Sequence, residues 1–375
     1  MSNNRVKGVL KIAMVCFSLY FFLVSIGLMS VAFKGFGKGF AENLLSTTSN
    51  PFVGLFVGIL ATSIIQSSST TTSIVVGMVA SGIISVSGAI PIVMGANIGT
   101  TVTNLLVSLG HLTRKEEFRR AIAGAAVHDF FNQMCVVILF PLELMTGFLE
   151  KSARFLASLF VNFGGMQFTS PIKILTKPTV QLVENIFIKY LPLTDKIGYL
   201  LILFAAILML YFSLFFIVKI MKSLVIDKAE IAIDRTLGKN AFIALLMGFS
   251  FTFIVQSSSI TTSLLVPLIG SGIMTVESAF PITMGANIGT TGTAMLAAFA
   301  TGNPAAIIIA FVHFLFNFIG VSFIYPIKFM RRIPLSLAKG LGNLAYRKRR
   351  YAICYIITVF FILPASLIFI SKLFK

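Results

Sequence analysis

Ile64-Ile65-Gln66-Ser67-Ser68-Ser69-Thr70-Thr71-Thr72-Ser73-Ile74-Val75-Val76 is an apolar run with a cluster of amide and hydroxyl side chains in its middle, and the cluster returns as Gln256-Ser257-Ser258-Ser259. Sliding the chain along itself by 190 residues lays Ala61 to Leu106 on Phe251 to Leu296 without a gap, with more than half of the positions identical. Gly95-Ala96-Asn97-Ile98-Gly99-Thr100-Thr101 then falls on Gly285-Ala286-Asn287-Ile288-Gly289-Thr290-Thr291. At an offset of 185, His128, Asn132 and Pro141 match His313, Asn317 and Pro326, and the difference is a longer polar loop, His111 to Arg120, in the first copy. A duplicated apolar unit predicts an architecture of paired halves, as in secondary transporters.

Composition identifies the solvent. Of 375 residues 57% are hydrophobic and 11% charged, with a mean hydropathy of +0.96, whereas a soluble chain carries about 25% charged residues. Too few polar side chains remain to coat a globule, so the sequence predicts an all-α polytopic membrane protein. With 12 Asp and Glu, 3 His and 3 Cys in all, neither an enzyme nor a bound cofactor is expected. The net charge of +18 comes from Lys and Arg gathered between the apolar segments, a distribution suited to anionic membrane lipids and not to nucleic acid. The apolar run after Arg5, Lys7 and Lys11 continues to Phe33, beyond the roughly 7 to 15 residues of a signal-peptide core, and reads as an uncleaved helix.

Seven runs are long enough to cross a bilayer: 10–33, 88–109, 121–149, 197–221, 278–300, 304–329 and 351–371. Each Gln-Ser-Ser-Ser instead splits its stretch, at 51–84 and 241–274, into arms of about 15 residues, short of the roughly 20 a span needs. Re-entrant helical hairpins are expected, because polar backbone at membrane depth survives only against protein or a wet cavity. Proline and glycines inside Pro91–Thr103 and Pro281–Thr293 predict a broken transmembrane helix in each copy. The chain then divides into an N-terminal helix and outer loop (1–50), a first transport repeat (51–149), an extracytoplasmic segment (150–196), a connecting helix and cytoplasmic loop (197–239), a second transport repeat (240–330), and a basic cytoplasmic loop with the last helix (331–375). Arg114, Lys115, Arg119 and Arg120, with the basic residues between Arg331 and Arg350, mark the cytoplasmic side. Counting from them puts the N-terminus inside and the C-terminus outside, although segment 150–196 is itself basic. Three spans separate the two hairpins, an odd number, so the repeats are expected to be inverted.

No Lys or Arg occurs from Gly39 to Thr113 or from Asn240 to Ile327. Hydroxyl, amide and glycine residues concentrate there, at Gln66 to Ser73, Asn97 to Thr103, Gln256 to Ser259 with Thr261 to Ser263, and Asn287 to Thr293. Such a set donates hydrogen bonds to an anion and offers neutral oxygens to an alkali cation. The second arm of each hairpin begins at the Ser run, so its free N–H groups and positive dipole end face the tip. Moving a bare ion into a low-dielectric medium costs on the order of 20 kcal/mol, and a dipole end offsets up to about 2 kcal/mol. Without basic side chains, small cations travelling with the anion are the expected compensation, and sodium suits neutral oxygen ligands. Proton coupling would call for intramembrane carboxylates or histidines; the binding centres have none, though His128, Asp129, Glu143 and His313 lie in or near neighbouring spans. His128 and His313 each precede an Asn by four residues and are expected to hydrogen-bond between repeat-related helices.

The two Gln-Ser-Ser-Ser tips, the two Gly-Ala-Asn-Ile-Gly-Thr-Thr segments, and Glu117-Phe118-Arg119-Arg120-Ala121 leading to His128-Asp129-Phe130-Phe131-Asn132 together resemble the type II sodium-dependent inorganic phosphate cotransporter family. The resemblance covers roughly residues 50 to 330 and includes Ile174-Leu175-Thr176-Lys177-Pro178. It implies a multi-pass transporter, here of a bacterial inner membrane, that imports inorganic phosphate with sodium ions by alternating access. It also implies phosphate contacts from Gln66, Ser67, Ser68, Ser69, Gln256, Ser257, Ser258 and Ser259, with Asn97 and Asn287 close to the substrate. A sodium site is implied at Gln256, Ser257, Ala286, Thr290 and Thr293; repeat symmetry extends sodium ligation to Gln66, Thr100 and Thr103. Animal members carry a larger outer loop with a disulfide and glycans, whereas this chain has no Asn-x-Ser/Thr sequon. A sodium-coupled transporter of sulfate or a carboxylate, or an anion channel using the same dipole ends, are the alternatives.

Overall fold

The structure, a computed structural model, describes residues 2–36, 50–161, 171–191, 194–236 and 240–373; among them there is no strand. The expected outer loop around residue 40 and parts of segments 150–196 and 197–239 lie outside the described residues. The helices in chain order are α1 (Ser2–Gly35), α2 (Pro51–Ile65), α3 (Ser68–Ser81), α4 (Val86–Gly99), α5 (Thr101–Ser108), α6 (Lys115–Thr146), α7 (Phe148–Val161), α8 (Pro171–Asn185), α9 (Asp195–Thr236), α10 (Ala241–Val255), α11 (Ser258–Ser271), α12 (Val276–Thr301), α13 (Pro304–Ile324), α14 (Lys328–Arg347), α15 (Arg350–Ile357) and α16 (Leu363–Leu373). Among the described residues six stretches are long and apolar enough to cross a membrane: Val9–Gly35, Val86–His111, Lys115–Thr146, Asp195–Met221, Pro304–Ile324 and Arg350–Ser371. The seventh expected span, α12, is helical throughout but rich in Gly, Ala and Thr. The chain is an all-α, multi-pass membrane protein.

Each Ser run stands between two short helices. At 1.5 Å per residue, α2 and α10 reach about 22 Å, short of a hydrocarbon core of about 30 Å. Both begin alike: the side chains of Asn50 and Asn240 accept the amides of Phe52 and Phe242 at 3.0 Å. Thr62 donates to Thr71 at 3.0 Å, and the Thr252 and Thr261 hydroxyls meet at 2.5 Å, tying the two arms of each hairpin together.

The first arm lies against the helix that follows the hairpin at backbone distance. A Cβ on Gly58 would strike the Ile92 carbonyl, on Gly95 that of Leu55, and on Gly99 that of Ile59; the second copy repeats this with Gly248 on Ile282, Gly285 on Leu245 and Gly289 on Phe249. Glycine permits this approach, the small-residue packing that membrane helices use where no hydrophobic force joins them. The bases of the two hairpins lie at opposite ends of α12. That helix starts just after hairpin 2, and at its far end Asn303 donates to the Ala80 carbonyl at the base of hairpin 1 (2.8 Å). Outside this core α1 packs along α9, and α14 along α6.

The expected helix breaks do not form. α12 is continuous across Pro281–Thr293, and in the first copy the helix lapses only at Thr100, whose φ of −57° and ψ of −31° are themselves helical. Several of the polar residues there bond within the helix. Thr100 and Thr290 donate to the Ala96 and Ala286 carbonyls (2.9 and 3.0 Å), and Asn97 to that of Val93 (2.9 Å). The glycines serve close packing, so only the hairpins bring free helix N-termini into the core.

Candidate functional site

At both tips a glutamine ends the first arm in left-handed backbone, Gln66 at φ 59° and Gln256 at φ 60°, and among the described residues these are the non-glycine positions with positive φ. That conformation costs roughly 1–2 kcal/mol for an L-residue, and each glutamine is locked by its own side chain. The Gln66 amide donates to the Ser63 carbonyl (2.5 Å) and its Oε1 accepts from Thr103 (2.9 Å). The Gln256 amide donates to the Phe253 carbonyl, and its Oε1 accepts from Thr293 (2.7 Å). The next residue turns extended, Ser67 at φ −151° and Ser257 at φ −151°, and the second arm begins.

The two tips meet. Gln66 to Ser69 and Gln256 to Ser259 line one cavity of about 40 Å³, closed on a third side by Leu214 and Val218 of α9. None of these residues is charged. At roughly 10 to 15 Å³ per water, the cavity has room for about three waters. The N-terminal ends of α3 and α11, where first-turn N–H groups lack partners within the helix and the dipole is positive, border this space. The Ser67 hydroxyl accepts the Thr70 amide at 3.2 Å, whereas Ser257 makes no such cap, leaving its hydroxyl for a ligand.

The copies are not identical in their ties. Ser69 donates to the Gln256 carbonyl (3.4 Å) and the Thr293 hydroxyl (3.3 Å), joining tip 1 to the second repeat. Hairpin 2 is held one turn further along, where Thr262 and Ser263 donate to Asn104 at 2.8 and 3.2 Å. The residue corresponding to Asn104 is Ala294, and accordingly the Ser73 hydroxyl is buried without a partner. Ser73→Ala is expected to leave thermal stability unchanged or slightly raised, because it removes an unpaired buried hydroxyl; a thiol-reactive dye can follow unfolding in this chain, which has no Trp and has buried Cys135.

The structure does not bring Asn97 and Asn287 to the cavity wall. The Asn287 carbonyl oxygen meets His128 Nε2 at 2.6 Å and its amide donates to Asn132 (2.9 Å), while Thr101 meets His128 Nδ1 at 2.6 Å. Asn97 accepts from His313 Nε2 and Asn317, both at 3.3 Å. Each repeat thus offers its central asparagine to a His-x-x-x-Asn helix of the other, as the interhelical expectation for the histidines anticipates. The second network is looser: His313 Nδ1 and Asn317 Oδ1 are buried and unpaired. Asn287→Ala is therefore expected to cost about 1–3 kcal/mol by stranding His128 and Asn132, and Asn97→Ala less. Dye-monitored melting of both variants in detergent checks the order; equal losses would contradict it.

The other intramembrane acids have structural partners. Asp129 accepts from the Tyr355 hydroxyl of α15, and Glu143 accepts the Leu149 amide (2.6 Å) at the start of α7. Neutral oxygens suited to an alkali cation gather instead beside each tip, where Gln256 Oε1 adjoins Thr293 and Thr290 adjoins the Ala286 carbonyl, with Gln66, Thr103 and Thr100 in the matching places. Among the described residues no cluster of His, Cys, Asp and Glu could hold a metal. Sequence reasoning missed Leu214 and Val218, which sit in a uniformly apolar helix outside the duplication and carry no signal that could have found them.

Comparison with known proteins identifies the family. Residues 21–170 and 208–338 match the family model described as Na+/Pi-cotransporter. The chain is 34% identical over 97% of its length to sodium-dependent phosphate transport protein 2B of Homo sapiens, and 35% identical over 97% to that of Bos taurus. It is also 34% identical over 96% of its length to protein 2A of Rattus norvegicus. The chain spans 66% of the length of the human protein. No solved structure matches it.

Proposed function

This chain belongs to the Na+/Pi-cotransporter family, and on that premise we propose that it imports inorganic phosphate across the plasma membrane on a sodium gradient. One observation carries the reading: two Gln-Ser-Ser-Ser tips from the two halves of a duplicated chain line one uncharged cavity bordered by two helix N-termini. Gln66, Ser67, Ser68, Ser69, Gln256, Ser257, Ser258 and Ser259 hold phosphate through hydroxyl, amide and backbone N–H donors. Gln256, Ser257, Ala286, Thr290 and Thr293 supply oxygens to a sodium ion, and Gln66, Thr100 and Thr103 form its repeat-related counterpart. Asn97 and Asn287 act one layer out, fixing the helices that present these threonines.

The repeats are read as inverted, which is supported by the position of the hairpin bases at opposite ends of α12. Closing one tip while the other opens then gives alternating access, with the N-terminus cytoplasmic and the C-terminus extracytoplasmic. No chemical step on the substrate is involved. In proteoliposomes, radiolabelled phosphate is expected to accumulate above its outside concentration under an inward sodium gradient and to stop doing so when choline replaces sodium. Sulfate and simple carboxylates are expected to compete weakly. Accumulation of sulfate in preference to phosphate would change the cargo, and purely downhill flux independent of sodium would make the protein a channel.

A further inference from the structure

A second pocket with polar lining lies well away from the Ser tips. It is a cavity of about 340 Å³ at the base of hairpin 1, between α1, α8 and the turn from α12 to α13. Ala80 of α3 borders it, twelve residues after Ser68, so it sits about 18 Å along α3 from the tip cavity. Its wall includes Thr176 and Lys177, from the Ile174 to Pro178 motif that the tip site leaves unexplained, together with Lys34, Ser30, Gln181 and Glu184.

Lys34 and Lys177 have no ion-pair partner among the described residues. The hairpin windows that form the tips contain no Lys or Arg, yet here two lysines line one concavity against a single carboxylate, that of Glu184. The neighbouring backbone is fixed: the Asn303 side chain spans from the Ala80 carbonyl (2.8 Å) to the Ala305 amide (2.9 Å). Two cations with neutral donors from Ser30 and Gln181 match a compact, multiply charged oxyanion. A concave wall of one net sign also raises the local concentration of the opposite ion, an effect that salt screens.

We propose that this pocket is a second oxyanion site, a capture station for inorganic phosphate on the side of the membrane to which hairpin 1 opens. The proposal rests on the transport reading above. Division of labour follows from charge: the lysines attract phosphate from water at the surface, and the neutral tip cavity carries it with sodium. A site that held phosphate with fixed ammonium groups at the tips would bind it without needing sodium, so separating the two keeps transport coupled.

The test is initial-rate phosphate uptake by the full chain in proteoliposomes, comparing wild type with Lys34→Gln/Lys177→Gln. The double variant is expected to raise KM for phosphate roughly threefold to tenfold at low ionic strength with Vmax within about twofold. Added choline chloride is expected to raise the wild-type KM and to leave that of the variant nearly constant. Glu184→Gln is expected to lower KM. Unchanged KM and unchanged salt dependence in the double variant would overturn the proposal. Where wild type itself gives no sodium-driven uptake, the transport reading fails; the pocket is then judged by whether inorganic phosphate slows acylation of Lys34 and Lys177, followed by mass spectrometry. Equal acylation with and without phosphate would overturn it.

Discussion

Gln256→Ala is expected to lower sodium-driven phosphate uptake by about 100-fold or more, while the protein still inserts in the membrane and purifies as a monodisperse species. The side chain does three things at once. It closes the end of α10 by donating to the Phe253 carbonyl, it accepts the Thr293 hydroxyl at 2.7 Å, and it forms part of the cavity wall. Losing a ligand oxygen and stranding Thr293 removes about 3 kcal/mol of binding, roughly two powers of ten in affinity. Alanine at φ 60° also keeps the backbone strain, so the informative partner is Gln256→Gly, which relieves it. An equally inactive Gly variant assigns the loss to the side chain. Gln66→Ala and Gln66→Gly are expected to behave alike, because Gln66 repeats every contact through Ser63 and Thr103. Full uptake by both alanine variants would refute the site.

Gly285→Ala carries the second large effect, and it acts through packing alone. The added methyl group would run into the Leu245 carbonyl oxygen, a backbone atom in the middle of α10. Overpacking of this kind costs about 1–3 kcal/mol, and the hairpin can relieve it only by moving away from α12, which carries Thr290 and Thr293. A fall in melting temperature together with at least a tenfold loss of uptake is expected, the uptake loss following from misplaced threonines. Gly340→Ala provides the control: nothing lies within 4 Å of its added Cβ, and alanine favours a helix by up to about 1 kcal/mol over glycine. Its uptake should match wild type. Equal behaviour of the two variants would show that the close approach of α10 and α12 does not matter to transport.

The duplication carried most of what could be read from the sequence. Identical Ser runs 190 residues apart had to fold alike, and a run of hydroxyls in an apolar stretch had to be buried against protein, so the hairpins and their meeting point were legible. The broken helices were not. Pro91, Gly95 and Gly99 look like helix breakers in isolation, and only the neighbouring helix reveals that the glycines face the Leu55 and Ile59 carbonyls. The family resemblance implies Asn97 close to the substrate, and Asn97 lies six residues before Thr103, which bonds the tip glutamine Gln66. Six residues turn a helix by 600°, which leaves the two side chains about 120° apart, while Asn97 and Thr101, four apart, share the face that meets the histidine helices. The third wall, Leu214 and Val218, was invisible because one apolar face of a membrane helix looks like any other. The unpaired Ser73 hydroxyl reflects the single exchange of Asn104 for Ala294, which the alignment contained but which had no meaning until Thr262 and Ser263 were seen to donate to that position.

The central claim is that a cavity with no fixed positive side chain retains a multivalent anion only beside metal cations. Equilibrium binding of radiolabelled phosphate to the purified Lys34→Gln/Lys177→Gln variant, which isolates the tip cavity from the proposed lysine pocket, in sodium and in potassium buffers of equal ionic strength and pH, tests it most directly. Saturable binding in sodium, weakened at least about tenfold in potassium and matched by a reciprocal gain in sodium affinity when phosphate is present, is the predicted result. The same phosphate affinity in both buffers would contradict it.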